Sequence, residues 1–222
     1  MSFFNDPDSI LVKNTETFTR AFLDIVLTKN QDCCVEAMRA LGNFTQSEDS
    51  RRLLVEGRGL QAIIMLLDSS SIDLAFCVCG VLINMMVDRS TRTLIKNDQQ
   101  TISKFVDLLK NAVDVDWALV GLVCQILWNY TEDMNSTHEY FDDIDAEDLI
   151  TTLTDFTDPS IIATMLHPQS STNETETREE VDEEYEEHFK ESWGEFLPIG
   201  QSLLQRMEQC HSHLEPLVTP PD

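Results

Sequence analysis

The chain has 222 residues, 42% of them hydrophobic, and a formal net charge of −25. That length and apolar share suffice for one sizeable core or for about five helical repeats. A surplus of acid this large excludes a general nucleic-acid binder, which needs a basic footprint on phosphate, and opposes docking on an anionic membrane.

Residues 1–14 open on a polar, Pro-broken stretch and are expected to fray. They show no basic segment leading into an apolar run, so a cytoplasmic protein is expected. Phe18, Phe22, Leu23, Ile25, Val26 and Leu27 mark a helix over 15–28. Cys33 to Thr45 is the next, with Val35, Met38, Leu41 and Phe44 inward at helical spacing. A triplet then recurs. Ser50 to Gly57 is a short helix ending on a glycine, Gly59 to Asp68 a second, Ile72 to Val87 a third. The set returns as Thr91–Asn97, Thr101–Lys110 and Trp117–Thr131, and a third round opens with Thr137–Phe141 and Glu147–Phe156. That round fades into a stub, Pro159 to Leu166.

Leu74 to Val87 carries one polar side chain, Asn84. A helix so apolar all round is buried on most sides, and at about 21 Å it is too short for a bilayer about 30 Å thick. Gly80 inside it is expected to serve a close helix approach. Asn43, Asn84 and Asn129 sit at one phase of the three long helices, 41 and 45 residues apart.

This pattern resembles the armadillo-repeat family. Gly57, the pairs Leu66-Leu67 and Leu108-Leu109, and the segments Ala40–Phe44, Val81–Met85 and Ile126–Tyr130 carry the resemblance over 15–166. It implies an all-α solenoid, a right-handed superhelix of three-helix repeats, entered here at a second helix. A chain that enters so resembles the C-terminal part of a longer repeat protein. The resemblance also implies a third-helix groove in which the Asn contacts an extended protein ligand. Asn43, Asn84 and Asn129 are the candidates, with Arg39 and Gln125 beside them; the competing role is bonding within the stack. Nuclear-import receptors of this family carry a Trp four residues before the Asn. Here those positions are Arg39, Gly80 and Gln125, so that function is not expected. The wording of 39–61 and 124–133 is similar to a branch of the family linked to motile cilia and sperm flagella. The resemblance thus implies an adaptor or scaffold in axoneme assembly, in the cytoplasm or cilium. The alternative is a structural piece of a larger scaffold with no ligand of its own.

No lysine or arginine occurs between Lys110 and Arg178. Asp142, Asp143, Asp145, Glu147 and Asp148 concentrate the acid there and form a candidate patch for a basic partner surface. Residues 167–192 are an acidic linker and 218–222 a loose tail. Over 193–217 an amphipathic helix is expected, as a cap on the last repeat or as a ligand for a partner groove. An aromatic stripe runs into it through Val181, Tyr185, Phe189, Trp193 and Phe196.

Catalytic chemistry is not expected. The five histidines make no constellation with a nucleophile, and no phosphate-binding glycine loop or HExxH occurs. The six cysteines form no CxxC pair, and the Asp143-led acidic run lacks the glycine and terminal glutamate of a calcium loop. No cofactor is expected.

Overall fold

A computed structural model describes residues 8–28, 30–113, 116–161 and 183–211. Every described element is a helix. The chain divides into two units, Met1–Asn97 and Asp98–Asp222.

The first unit holds α1 (Ile10–Lys13), α2 (Thr15–Val26), α3 (Gln31–Phe44), α4 (Glu48–Glu56), α5 (Gly59–Met65), α6 (Ile72–Met85) and α7 (Arg89–Lys96). The expected fraying therefore gives way to a short helix at α1, capped by Ser9. Side-chain caps set the starts of the long helices. Asn30 accepts from the Cys33 amide at α3, and Ser71 accepts from the Leu74 amide at α6. Two layers result. The second-type helices α2 and α5 pack together, α2 packs on α3, and the third-type helices α3 and α6 pack together. Met38, Leu41, Leu54, Leu60, Ile63, Val78, Leu82 and Met85 fill the core between them. The turn from α4 to α5 puts its left-handed residue at Arg58 (φ 57°), next to the expected glycine stop at Gly57.

Gly80 is not at a tight contact. A Cβ built there meets nothing within 4 Å, and Gly42 is equally open. Apolarity all round implies burial on most sides, and Gly80 lies on a side of α6 where a Cβ would have no neighbour. Gly80→Ala should thus stabilise the protein by about 0.5–1 kcal/mol, because alanine loses less backbone entropy in a helix. Thermal unfolding should show a midpoint higher by about 1–4 °C. A lower midpoint would mean that this side is occupied.

The second unit holds α8 (Gln99–Ala112), α9 (Trp117–Tyr130), a 3₁₀ turn at Thr137–Glu139, α10 (Asp143–Thr157) and α11 (Glu183–His211). It repeats the layering: α8 packs on α10, while α9 packs on α8 and α11, and α10 on α11. So α11 takes the place of the third helix of the last repeat, and the 3₁₀ turn takes the place of its first. The sequence boundary at 193 is corrected: the helix begins ten residues earlier, at Glu183. Glutamate is a good helix former, so an acidic run continues a helix once an apolar stripe anchors it. Phe189, Trp193, Phe196, Leu203 and Met207 are that buried stripe. The Trp193 indole N–H donates to the Phe156 carbonyl at 2.9 Å. Pro198 lies inside the helix, exposed. Val181 and most of the stub at 159–166 lie outside the described residues.

Candidate functional site

The third-type helices carry the residues singled out in the sequence. On α3, Arg39 and Asn43 are exposed. Arg39 pairs with Glu36 at 3.5 Å, and the Asn43 amide donates back to the Arg39 carbonyl at 3.4 Å. Both side chains stand at the surface in local contacts that a ligand can displace.

Asn84 is different. Its amide nitrogen donates to the Gly42 carbonyl at 2.9 Å and to Thr45 Oγ1 at 3.1 Å. Thr45 itself donates to the Leu41 carbonyl at 2.8 Å. Asn84 thus ties α6 to the C-terminal turn of α3. In this position the stack-bonding role holds. On α9, Gln125 donates to Asn129 Oδ1 at 3.0 Å, and both are half-buried.

Sequence reasoning missed Arg206. Its Nη1 donates to the Trp128 carbonyl at 2.7 Å and to Thr131 Oγ1 at 3.0 Å. Thr131 donates to the Leu127 carbonyl at 2.8 Å. This repeats the Asn84 contact atom for atom: a carbonyl, then the hydroxyl three residues on, in the preceding third helix. The guanidinium also lies over the Trp128 ring, 3.4 Å from its centroid. Trp128 is half-exposed, with its face covered by a cation. Burial lowers the pKa of Arg206 from its ordinary value, against the fields of Cys210 and Glu132. The signal was hidden by the long insertion before α11, which breaks the repeat spacing.

The acidic residues do not make one exposed cluster. Asp145 is buried and accepts from Gln99 at 2.7 Å and Ser103 at 2.8 Å. Asp142 caps α10 by accepting from the Asp145 amide. Asp148 holds Lys110 at 2.8 Å, and Asp143 meets His138 at 3.1 Å. Glu147 is exposed. The helix start has spent several of these charges on its own structure.

Burial pushes the thiols of Cys79 and Cys124 up to about 12, which keeps them protonated and unreactive at neutral pH. Among the described residues, no group of three or more His, Cys, Asp or Glu is placed to hold a metal ion. No described helix is long and apolar enough to cross a membrane. An apolar cavity of about 510 Å³ between α2 and α3 is lined by Phe22, Ile25, Thr28, Asn30, Cys33, Glu36 and Ala37.

Comparison of solved structures places these helices. A designed armadillo repeat protein, YIII(Dq)4CqI, superposes with a TM-score of 0.53 at 12% identity, over 91% of this chain and 96% of that one. The chain has an all-α fold of the armadillo type. Its sequence is similar to Armadillo repeat-containing protein 2 of Bos taurus (31% identical), Mus musculus (32%) and Homo sapiens (30%), each over 221 residues. The alignment covers 99% of this chain and 24% of each relative, so the chain spans about a quarter of their length. No family model matches.

Proposed function

We propose that the chain is a non-enzymatic adaptor whose third-helix faces receive an extended segment of another protein. The observation that carries this reading is the open space at Gly80 on α6, and likewise at Gly42 on α3, where a Cβ would meet nothing within 4 Å. Arg39 and Asn43 stand exposed on the helix that bears Gly42, with side-chain contacts no further away than one helical turn. Asn84, one turn after Gly80 on the same helix, bonds to the Gly42 carbonyl and Thr45 and so ties α6 to α3. In the second unit, Gln125 and Asn129 on α9 are the matching polar pair. The partner's surface is basic in this reading, because a chain of −25 charge steers cations toward it. Asp143 and Glu147, the exposed carboxylates at the start of α10, contribute to that field.

Likeness to Armadillo repeat-containing protein 2 supports a setting in motile cilia or sperm flagella, in assembly of the axoneme and its central-pair or radial-spoke components. One observation favours the structural alternative. Asn84 is spent within the stack, as it is in a piece of a larger scaffold with no ligand of its own.

The test is proximity labelling in ciliated cells, comparing the natural chain with Gly80→Tyr and with Arg39→Ala/Asn43→Ala. A side chain placed at Gly80 begins with a Cβ that meets nothing within 4 Å, and the tyrosine ring extends it over the helix face. Labelled axonemal proteins should be lost with both variants while circular dichroism stays unchanged. Binding of the recovered partner should also weaken as salt is raised from 0.1 to 1 M, where the screening length falls from about 10 Å to about 3 Å. Unaltered labelling with both variants defeats this side of α3 and α6 as the binding face. A salt-independent affinity defeats the basic partner surface alone.

A further inference from the structure

Arg206 has more donors than its place in the stack uses. In the first unit the same contact, to a carbonyl and to the threonine hydroxyl three residues later, is made by one amide of Asn84. In the second unit one nitrogen of Arg206 makes it. Arginine presents five N–H donors in a planar fork, so Nε and Nη2 remain over. Neither donates to any described residue, and no described carboxylate lies within ion-pairing distance of Arg206. By contrast Arg20, Arg39, Arg51 and Arg52 each pair with a carboxylate. In a chain with 40 Asp and Glu against 15 Lys and Arg, an unpaired guanidinium is the less common arrangement.

The group is also held still. Trp128 supports one face of the fork at 3.4 Å, and the two Nη1 bonds fix its rotation. A ligand therefore meets a cation whose side-chain entropy is already lost, which lowers the cost of binding. Arg206 is half-exposed, and Nε and Nη2 form the edge of the fork that in arginine makes two parallel bonds to a carboxylate or phosphate oxygen pair.

We propose that Arg206, seated on Trp128, is a binding site for a single carboxylate side chain of the protein partner. The proposal rests on the reading of the third helices as a protein-binding face. Carboxylate is favoured over phosphate by charge: Glu132 acts on Arg206 and the whole chain is strongly acidic, so a dianion is repelled more than a monoanion. A mostly basic partner carries few carboxylates. Long-range attraction brings such a partner to the chain, and one inverted pair at Arg206 fixes its register.

The experiment uses the full chain and small probes, so it is independent of any partner's identity. The capped tripeptides acetyl-Ala-Glu-Ala-amide and acetyl-Ala-Gln-Ala-amide, and inorganic phosphate, are titrated while the Arg206 Nε–H and Trp128 indole N–H signals are followed by nitrogen-proton NMR. The Glu peptide should give a saturable millimolar shift and the Gln peptide none. Arg206→Asn keeps an amide for the Trp128 and Thr131 contacts and removes the fork; its Trp128 signal should respond about tenfold more weakly or not at all. Arg206→Lys, which keeps the charge and loses the fork, should fall between and serves also if the Asn variant fails to fold. No saturable response to the Glu peptide, an equal response to the Gln peptide, or an undiminished response in the variants overturns the proposal. Tighter binding of phosphate than of the Glu peptide overturns it in favour of a phosphoryl ligand. None of these outcomes bears on the Gly80→Tyr test.

Discussion

Phe196→Ala should lower the stability of the second unit by about 3–5 kcal/mol, the usual cost of removing a buried aromatic ring. Phe196 is 1% exposed. Its ring centroid lies 5.3 Å from that of Trp117 and 6.5 Å from that of Phe156, the latter edge to face. Phe189 meets the same Trp117 ring at 5.8 Å. This aromatic cluster joins α9, α10 and α11, so its loss acts on the whole terminal repeat. Gly200, one turn later, leaves the space in which the ring lies: a Cβ there would come within 2.5 Å of Phe196 Cζ. A glycine that costs helix stability is thus matched to the ring, and the alanine variant leaves a void on both sides. Urea unfolding should show the lower midpoint, and amide exchange should show α11 opening first. A loss below about 1 kcal/mol would mean that α11 is held elsewhere, and Trp193→Phe, which removes the bond to the Phe156 carbonyl and part of a buried ring, would then be the larger change.

The helices were legible in the sequence because each turns one apolar face inward at a period of 3.6 residues. The shared phase of Asn43, Asn84 and Asn129 exposed the repeat for the same reason. Their separate fates were not legible. Asn43 and Asn84 have the same local spacing, but what each amide meets depends on whether a helix with an open carbonyl lies across from it. Gly80 was misplaced by the same blindness: periodicity shows that a helix is apolar and cannot show which strip of it lacks a neighbour. The terminal repeat was hidden by its insertion. Once the interval between second and third helix lengthens, the stripe from Phe189 to Met207 looks like an appended segment, and Arg206 is not sought at the Asn position. One signal was available and unused. Arg51 and Arg92 stand 41 residues apart, at one phase of α4 and α7, as Asn43 and Asn84 do on α3 and α6.

That pair of arginines supports the remaining large effect. Arg51→Ala should destabilise the first unit by about 3–5 kcal/mol, the range for breaking a buried ion pair from one side. The Arg51 side chain is 10% exposed and that of Asp88 24%. Arg51 Nε and Nη2 meet the two Asp88 oxygens at 2.7 and 2.9 Å, the bidentate form. Its Nη1 donates to the Thr45 and Gln46 carbonyls at 2.9 and 3.1 Å. Those carbonyls end α3, where the last turn has no acceptors' partners of its own and the helix dipole favours a cation. Arg92 does the same for α6, donating to the Met86 and Val87 carbonyls at 2.9 and 2.8 Å. Removing Arg51 therefore leaves a carboxylate and two carbonyls without their donor, and Asp88 makes no side-chain cap on α7 to fall back on. Arg51→Lys supplies one point charge in place of the fork and should recover only part of the loss. A double-mutant cycle with Asp88→Ala separates the two contributions. The double variant should be less unstable than the sum of the singles, because Asp88→Ala removes the carboxylate that Arg51→Ala strands. The cost that remains in the double variant belongs to the α3 carbonyls. If the two single losses simply add, Asp88 is a bystander, and the register between repeats rests on the helix-end contact alone.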